Sequence, residues 1–123
     1  MLAGFALLFM IIALAFNQLI GIVWFRARPE ALIDFNNISH TVAGTKSFPS
    51  DHVTAAFALA IPLFFVSWKW GWFGILVGVI TAFCRVVLGV HFPSDVIAGA
   101  VIGAGWGLLA GWAFKKYQIS NNK

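Results

Sequence analysis

Three short polar segments, residues 26–29, 48–52 and 85–95, interrupt an otherwise apolar chain. They contain arginines, two histidines and carboxylates, and each lies at the edge of a long apolar run. Charge at a membrane boundary is costly to desolvate, so a chain that keeps it there is expected to use it. Arginines beside two histidines and a carboxylate fit the binding and cleavage of a phosphate ester.

The third segment places a histidine between an arginine and a carboxylate. His91 follows the third apolar run, and Asp95 opens the fourth run just past Pro93. Across so short a hinge, we expect Asp95 to hydrogen-bond one ring nitrogen, which fixes the tautomer and leaves the other nitrogen free to attack. A purely structural His–Asp pair is the alternative. For Arg85, the alternative to phosphate binding is a side chain that extends to the membrane–water interface.

The second segment has the pattern of a helix start. Pro49 and Ser50 precede a long apolar run, which makes Ser50 a candidate N-cap residue. A helix N-terminus offers free N–H groups and the positive end of the helix dipole, and it therefore binds phosphate. His52, in the first turn, would lie near such an anion and could protonate a leaving oxygen. Helix capping alone is the alternative for Ser50.

The first segment contributes Arg26 and Arg28, followed by Pro29. Guanidinium groups match phosphate oxygens and stay charged, although two arginines that flank a span are also common interfacial anchors. Outside the three segments, His40 is interpreted as a loop residue. Lys46 is interpreted as a solvated loop lysine, with the steering of anionic headgroups as its alternative role.

The composition is that of an integral membrane protein. The 123 residues are 61% hydrophobic, 16% aromatic and 10% charged, whereas soluble domains carry about 25% charged residues. The net charge of +4 comes from few groups, and the absence of long Lys/Arg clusters argues against a nucleic-acid partner. A single cysteine, Cys84, excludes an intrachain disulfide and a cysteine-based zinc site.

Four apolar runs are long enough to cross a bilayer, for which about 20 residues are needed. They cover approximately residues 2–25, 51–68, 72–90 and 94–114. Backbone groups in lipid must be hydrogen-bonded internally, so we predict an all-α, polytopic membrane helix bundle with four spans. Short hinges are predicted at residues 69–71 and 91–93, and Pro62 is expected to bend the second span. The long connection, residues 26–49, could hold a short amphipathic helix.

Four spans place both chain ends on one side of the membrane. That side carries four lysines: Lys69, Lys115, Lys116 and Lys123. The positive-inside rule assigns it to the cytoplasm, although the cation counts of the two sides are nearly equal. The three polar segments would then share the extracytoplasmic face of the cell (plasma or inner) membrane.

The last predicted span contains a row of small residues. Glycines recur every four residues in it, at Gly99, Gly103, Gly107 and Gly111. Small residues at this spacing let a partner helix approach closely. Asp95 stands one step earlier in the same row, and we therefore expect it to face the bundle interior. Polar Asn17, within the first span, is expected to hydrogen-bond to another helix.

Together the three segments resemble the motifs of the type 2 phosphatidic acid phosphatase superfamily, which reads Lys-x6-Arg-Pro, Pro-Ser-Gly-His and Ser-Arg-x5-His-x3-Asp. Arg28-Pro29 matches the end of the first motif. Residues 49–52 match the second motif, with Asp51 in place of glycine. The third motif is matched, with Cys84 in place of serine, by Arg85, His91 and Asp95. Residues 47–52 look most like the bacitracin-resistance type of undecaprenyl-diphosphatase.

Two departures from the family pattern stand out. Gly21 occupies the position of the family's lysine, and Arg26 is a candidate replacement for the missing cation. The family also has about six spans, so two would precede Met1. Residues 1–123 are therefore expected to be a single membrane phosphatase core domain that lacks the N-terminal helices.

The resemblance implies a two-step phosphoryl transfer that needs neither cofactor nor metal. His91 would attack the terminal phosphorus and form a phosphohistidine, which Asp95 orients and stabilises. His52 would protonate the leaving oxygen and then help to activate water. The groups expected to bind the phosphate oxygens are Arg28, Arg85 and Ser50, with Arg26 as a further cation.

The favoured substrate is undecaprenyl diphosphate, hydrolysed to undecaprenyl phosphate in cell-wall synthesis. Phosphatidate and phosphatidylglycerol phosphate are the alternative substrates within the same class. An inactive membrane scaffold that binds lipid phosphates is the alternative outside it, and a soluble vanadate haloperoxidase is remote because of the hydrophobicity. The expected partners are the lipid substrate and the bilayer, and the oligomeric state stays open.

Overall fold

The computed structural model describes residues 1–29 and 46–121, and its regular elements there are all helical. The elements are α1 (Leu2–Val23), α2 (Asp51–Ala60), a 3₁₀ segment (Ile61–Phe65), α3 (Trp68–Val87) and α4 (Pro93–Asn121). The predicted all-α membrane bundle is thus confirmed, and the protein is a multi-pass membrane protein. The possible short helix in the long connection and the loop residue His40 lie outside the described residues.

Three of the helices, α1, α3 and α4, are long and apolar enough to cross a membrane, whereas α2 with its 3₁₀ segment is shorter. Pro62 explains the difference from four equal spans. Because proline has no N–H to continue the helical bonding, the α-helix gives way to tighter 3₁₀ turns at Ile61. The two pieces together reach about 25 Å, less than the hydrocarbon core of about 30 Å.

The hinge predicted at residues 69–71 is wrong. Helix α3 begins at Trp68, directly after an extended Ser67, so those residues lie in its first turns. Gly71 is buried there because the Phe64 ring packs against its backbone, where any Cβ would clash. A glycine that looked like a chain break therefore serves close packing.

The glycine row of α4 packs as predicted, against the backbone of α2 and the 3₁₀ segment. A Cβ on Gly99 would lie 2.7 Å from the Ser50 carbonyl oxygen, and one on Gly103 would overlap the Thr54 carbonyl oxygen. The close approach also buries Asp95 completely, as predicted. Helix α2 is consequently enclosed by α1, α3 and α4 and forms the centre of the bundle.

A polar contact ties three helices together inside this apolar core. Asn17 of α1 is fully buried, and its Nδ2 donates to Asp51 Oδ1 at 3.0 Å and to Thr54 Oγ1 at 2.8 Å. The Thr54 hydroxyl in turn donates to the Gly99 carbonyl at 3.2 Å. The predicted interhelical role of Asn17 is confirmed, and such bonds help to fix helix positions where no water competes.

The two ends of the bundle differ in chemistry. At one end, Phe5 near the start of α1 contacts Phe114 and Tyr117 near the end of α4. At the other end, Arg26 just past α1 reaches Asp95 at the start of α4. The three polar segments therefore share one end of the bundle, as predicted, and the described chain ends share the opposite one.

We predict that Gly103→Ala destabilises the protein whereas Gly105→Ala does not. A methyl group on Gly103 would press against the backbone of α2, and overpacking of this kind costs about 1–3 kcal/mol. Gly105 is exposed, and no atom lies within 4 Å of an added Cβ. Thermal unfolding in detergent micelles should show a lower midpoint for the first variant only. Equal midpoints for the two variants would contradict the packing described here.

Candidate active site

The end of α3 fixes the backbone around the first histidine of the site. Gly89 adopts a left-handed conformation (φ 69°) and donates to the Val86 carbonyl at 3.0 Å. The Val90 and His91 amides both donate to the Arg85 carbonyl at 3.3 Å. This is the Schellman pattern of helix termination, and it folds the chain back at a residue without a Cβ. The backbone of His91 is thereby held against the backbone of Arg85.

His91 is buried and is oriented by a residue that the sequence argument did not select. Its side chain is 3% exposed, and Nδ1 lies 2.8 Å from the Ser47 carbonyl oxygen. Because a carbonyl only accepts, Nδ1 must carry the proton, and Nε2 keeps its lone pair. Asp95 Oδ2 is 3.7 Å from Nδ1, which is ion-pair range and not a hydrogen bond. The expected tautomer control therefore comes from Ser47, while Asp95 acts through its charge.

The Asp95 carboxylate is bonded from several sides. Oδ2 accepts from the Ser47 hydroxyl and, at 2.8 Å, from the Phe92 amide, which caps the start of α4. Oδ1 accepts from Arg26 Nη1 at 3.0 Å, and the same nitrogen donates to Ser94 Oγ at 2.7 Å. The Arg26 guanidinium also stacks 4.0 Å above the Phe92 ring. These bonds give the fully buried carboxylate hydrogen-bond partners on both oxygens.

Arg26 was a candidate for the missing phosphate-binding cation, and its position favours another role. Its charge is directed at Asp95, with which it forms an ion pair at the edge of the site. A guanidinium engaged by a buried carboxylate is less available to a phosphate than one without such a partner.

The N-terminus of α2 supplies a serine and a histidine. Ser50 occupies the N-cap position as predicted, but its hydroxyl makes no capping bond. That hydroxyl is buried and lacks a hydrogen-bond partner among the described residues. The Ser50 amide donates to the Asp95 carbonyl at 3.1 Å, which joins α2 to α4. His52, in the first turn of the helix, is exposed, so it has the access to solvent that a proton donor needs.

The charges of two arginines, Arg28 and Arg85, influence both histidines of the site. Burial is the largest influence on the pKa of His91 and lowers it, whereas the hydrogen bond to Ser47 opposes it. The charges of Arg28 and Arg85 lower the pKa further, and the charge of Asp95 raises it. The same two arginine charges act on His52. Both histidines therefore experience the charges of the two arginines predicted to bind phosphate, and burial favours the neutral form of the His91 imidazole.

Lys46 is not the solvated loop lysine that was expected. Its Nζ donates to Asp51 Oδ1 at 2.9 Å, and its side chain is only 12% exposed. Sequence reasoning therefore missed two residues, Ser47 and Lys46. Their nearest signal was position: both lie within three residues of Pro49, at the Pro49-Ser50 helix start.

An apolar cleft borders the ion pair of Arg26 and Asp95. Its volume is about 330 Å³. The cleft is lined by Trp24, Phe25, Arg26, Phe48 and Ser94. Trp24 and Phe25, just past α1, are largely exposed, so aromatic rings form the outer wall of the cleft.

Comparison with known proteins places the chain in a family. The model of the PAP2 superfamily matches residues 2–119. The chain is 37% identical over 114 residues to undecaprenyl-diphosphatase BcrC of Bacillus subtilis, covering 88% of the chain and 53% of that protein. It is 32% identical over 95 residues to an undecaprenyl-diphosphatase of Sulfolobus acidocaldarius, covering 76% of the chain and 46% of that protein.

A lipid A 1-phosphatase of Rhizobium etli is 38% identical over 94 residues, covering 68% of the chain and 38% of that protein. No solved structure matches the chain. The chain spans about half the length of the curated relatives it matches. The family match extends over nearly all of it, including the three polar segments, and the chain belongs to the PAP2 superfamily.

Proposed function

We propose that this protein is a lipid phosphatase that removes the terminal phosphate of undecaprenyl diphosphate through a phosphohistidine at His91. The observation that carries the proposal is the hydrogen bond from His91 Nδ1 to the Ser47 carbonyl, which leaves Nε2 unprotonated. Relatives named undecaprenyl-diphosphatase support the substrate, and the relative named lipid A 1-phosphatase supports the wider class of lipid phosphates.

In the first step, Nε2 of His91 attacks the terminal phosphorus as the bond to the bridging oxygen breaks. The protonated His52 gives its proton to that oxygen, which neutralises the negative charge that develops there as the lipid monophosphate leaves. The phosphorylated ring retains its Nδ1 proton and is therefore cationic. The Asp95 carboxylate, 3.7 Å away, stabilises this cation.

In the second step, water attacks the phosphorus of the phosphohistidine. His52, now neutral, accepts a proton from the water, the N–P bond breaks, and inorganic phosphate leaves. Both histidines then return to their starting protonation states. The exposure of His52 suits this role because water and the leaving group must both reach it.

Arg28 and Arg85 are the groups we assign to the equatorial phosphate oxygens, where charge gathers in the transition state. The Ser50 hydroxyl at the N-terminus of α2, which has no partner within residues 1–29 and 46–121, is a further donor for them. The apolar cleft beside Arg26 is suited to the first part of the lipid chain, because its aromatic rings lie at the same end of the bundle as His91.

We assign the site to the extracytoplasmic face of the plasma or inner membrane. Lys69 and Lys116 lie on helices α3 and α4 at the end of the bundle opposite the site. Cationic residues of this kind are retained in the cytoplasm.

Replacing His91 by Gln should abolish phosphate release from undecaprenyl diphosphate, because amide nitrogen is not a nucleophile toward phosphorus. Replacing His52 by Gln should slow turnover by about 10²–10⁴-fold, because the leaving oxygen loses its acid. Phosphate release is measured in detergent micelles. A substrate labelled in its terminal phosphate, followed by a quench that preserves phosphohistidine, should label the wild-type protein but not the His91→Gln variant.

Phosphatidate serves as the comparison substrate in the same assay. Faster turnover of phosphatidate would overturn the choice of substrate but not the mechanism. Lipid binding without phosphate release would indicate the inactive scaffold, and label retained after His91→Gln would exclude His91 as the nucleophile.

The rate of the chemical step should fall as the pH drops, with a midpoint below the ordinary histidine pKa of 6.5. Above its pKa, His91 is neutral and can attack; below it, protonation removes the lone pair, and burial shifts that point downward. Measuring the profile in the His52→Gln variant assigns the acid limb to His91. A midpoint at or above 6.5 would contradict the buried, arginine-flanked position of the imidazole.

Green fluorescent protein fused after the C-terminal residue should fluoresce, because that end of the bundle is assigned to the cytoplasm. An alkaline phosphatase fused at the same place should be inactive, because it folds only after export. The reverse pair of results would place the site on the cytoplasmic face.

A further inference from the structure

We propose that Lys46 and Asp51 form a positioning pair that locks the segment of residues 46–50 against His91. This inference rests on the proposed function, since it concerns the group that orients the proposed nucleophile. We call residues 46–50 the Ser47 segment. Its first residue, Lys46, donates from Nζ to Asp51 Oδ1 at 2.9 Å and to the Pro49 carbonyl at 3.2 Å.

The aliphatic part of the Lys46 side chain packs against α1. It lies across Gly21, where any Cβ would overlap the Lys46 side chain. The ammonium therefore reaches Asp51 along a path that a side chain at position 21 would obstruct. With 12% of the lysine and 35% of the aspartate side chain exposed, the pair is partly shielded from water, and its ionic bond is screened less than a surface pair.

Asp51 connects the same pair to the rest of the bundle. Its Oδ1 also accepts from Asn17 Nδ2 at 3.0 Å, and its Oδ2 accepts from Gln18 Nε2 at 3.1 Å. Both donors lie on α1, while Asp51 itself opens α2, where a negative charge interacts favourably with the helix dipole. The carboxylate thus joins α1, α2 and the Ser47 segment at one point.

Ser47, the residue after Lys46, connects the ion pair to the proposed active site. The Ser47 amide donates to the Arg26 carbonyl at 2.8 Å, and the Ser47 hydroxyl donates to Asp95. The Ser47 carbonyl accepts from His91 Nδ1 at 2.8 Å. A shift of the Ser47 segment would therefore disturb the tautomer of His91 and the position of Asp95 together. Misplacement of catalytic groups by about 1 Å can cost about 10²-fold in rate.

The test compares Lys46→Met, Asp51→Asn, the double variant and Gly21→Ala. Each single change breaks or displaces the same ion pair, so each should lower kcat for the lipid diphosphate by about 10- to 100-fold with little change in KM. The double variant should be no slower than the slower single variant, because the ion pair that both changes break can be lost only once. Gly21→Ala should behave like Lys46→Met although it keeps the lysine. Lys69→Met, at the opposite end of the bundle, is the matched control and should retain wild-type turnover.

A raised KM with unchanged kcat in Lys46→Met, combined with normal turnover by Asp51→Asn, would overturn the proposal in favour of direct contact between lysine and substrate. Fully additive losses in the double variant would overturn it as well. Thermal unfolding identifies any variant that fails to fold, and Gly21→Ala then provides the mildest disturbance of the pair.

Amide hydrogen exchange gives a readout that does not depend on turnover. The peptide that carries Ser47 should exchange faster in Lys46→Met and in Asp51→Asn than in the wild type, because the segment loses its anchor. If the wild-type protein formed no phosphohistidine, the proposed function would fail, yet faster exchange would still support the positioning pair. Unchanged exchange in both variants would overturn the pair even in an active enzyme.

Discussion

The described site depends on one hydrogen bond, from the buried imidazole of His91 to the carbonyl oxygen of Ser47. A buried polar nitrogen without a partner costs about 1–3 kcal/mol, so the bond is needed for stability as well as for orientation. Because the acceptor is a backbone atom, its position does not depend on the rotamer of Ser47. The position of the nucleophile is therefore set by the path of the chain through residues 46–50.

The cations near that path differ in the groups on which they act. Arg26 and Lys46 are engaged with Asp95 and Asp51, respectively, and both hold structure in place. Arg28 and Arg85 act on the histidines themselves. The cations of this end of the bundle thus fall into two groups, one that positions the site and one that we assign to the substrate phosphate.

Much of this arrangement is predictable from the sequence because strong local rules govern it. Apolar length predicts the long helices, and the glycine row of α4 predicts that Asp95 faces inward. The hinge at residues 69–71 was misplaced because a glycine can mark either a break or a close contact, and only the position of Phe64 decides between them. Ser47 and Lys46 were not predicted for a similar reason. The partner of Ser47 is 48 residues away and that of Lys46 is 5 residues away, and no periodic pattern relates a loop residue to either partner.

The tautomer of His91 is the most direct test of this account. Nitrogen NMR of the protein labelled in its histidines, with His40 and His52 replaced by Gln, would report the two ring nitrogens of His91 alone. At neutral pH, we expect a proton on Nδ1 and an unprotonated Nε2. A proton on Nε2, or rapid averaging between the two nitrogens, would contradict the bond to Ser47 and with it the assignment of His91 as the nucleophile.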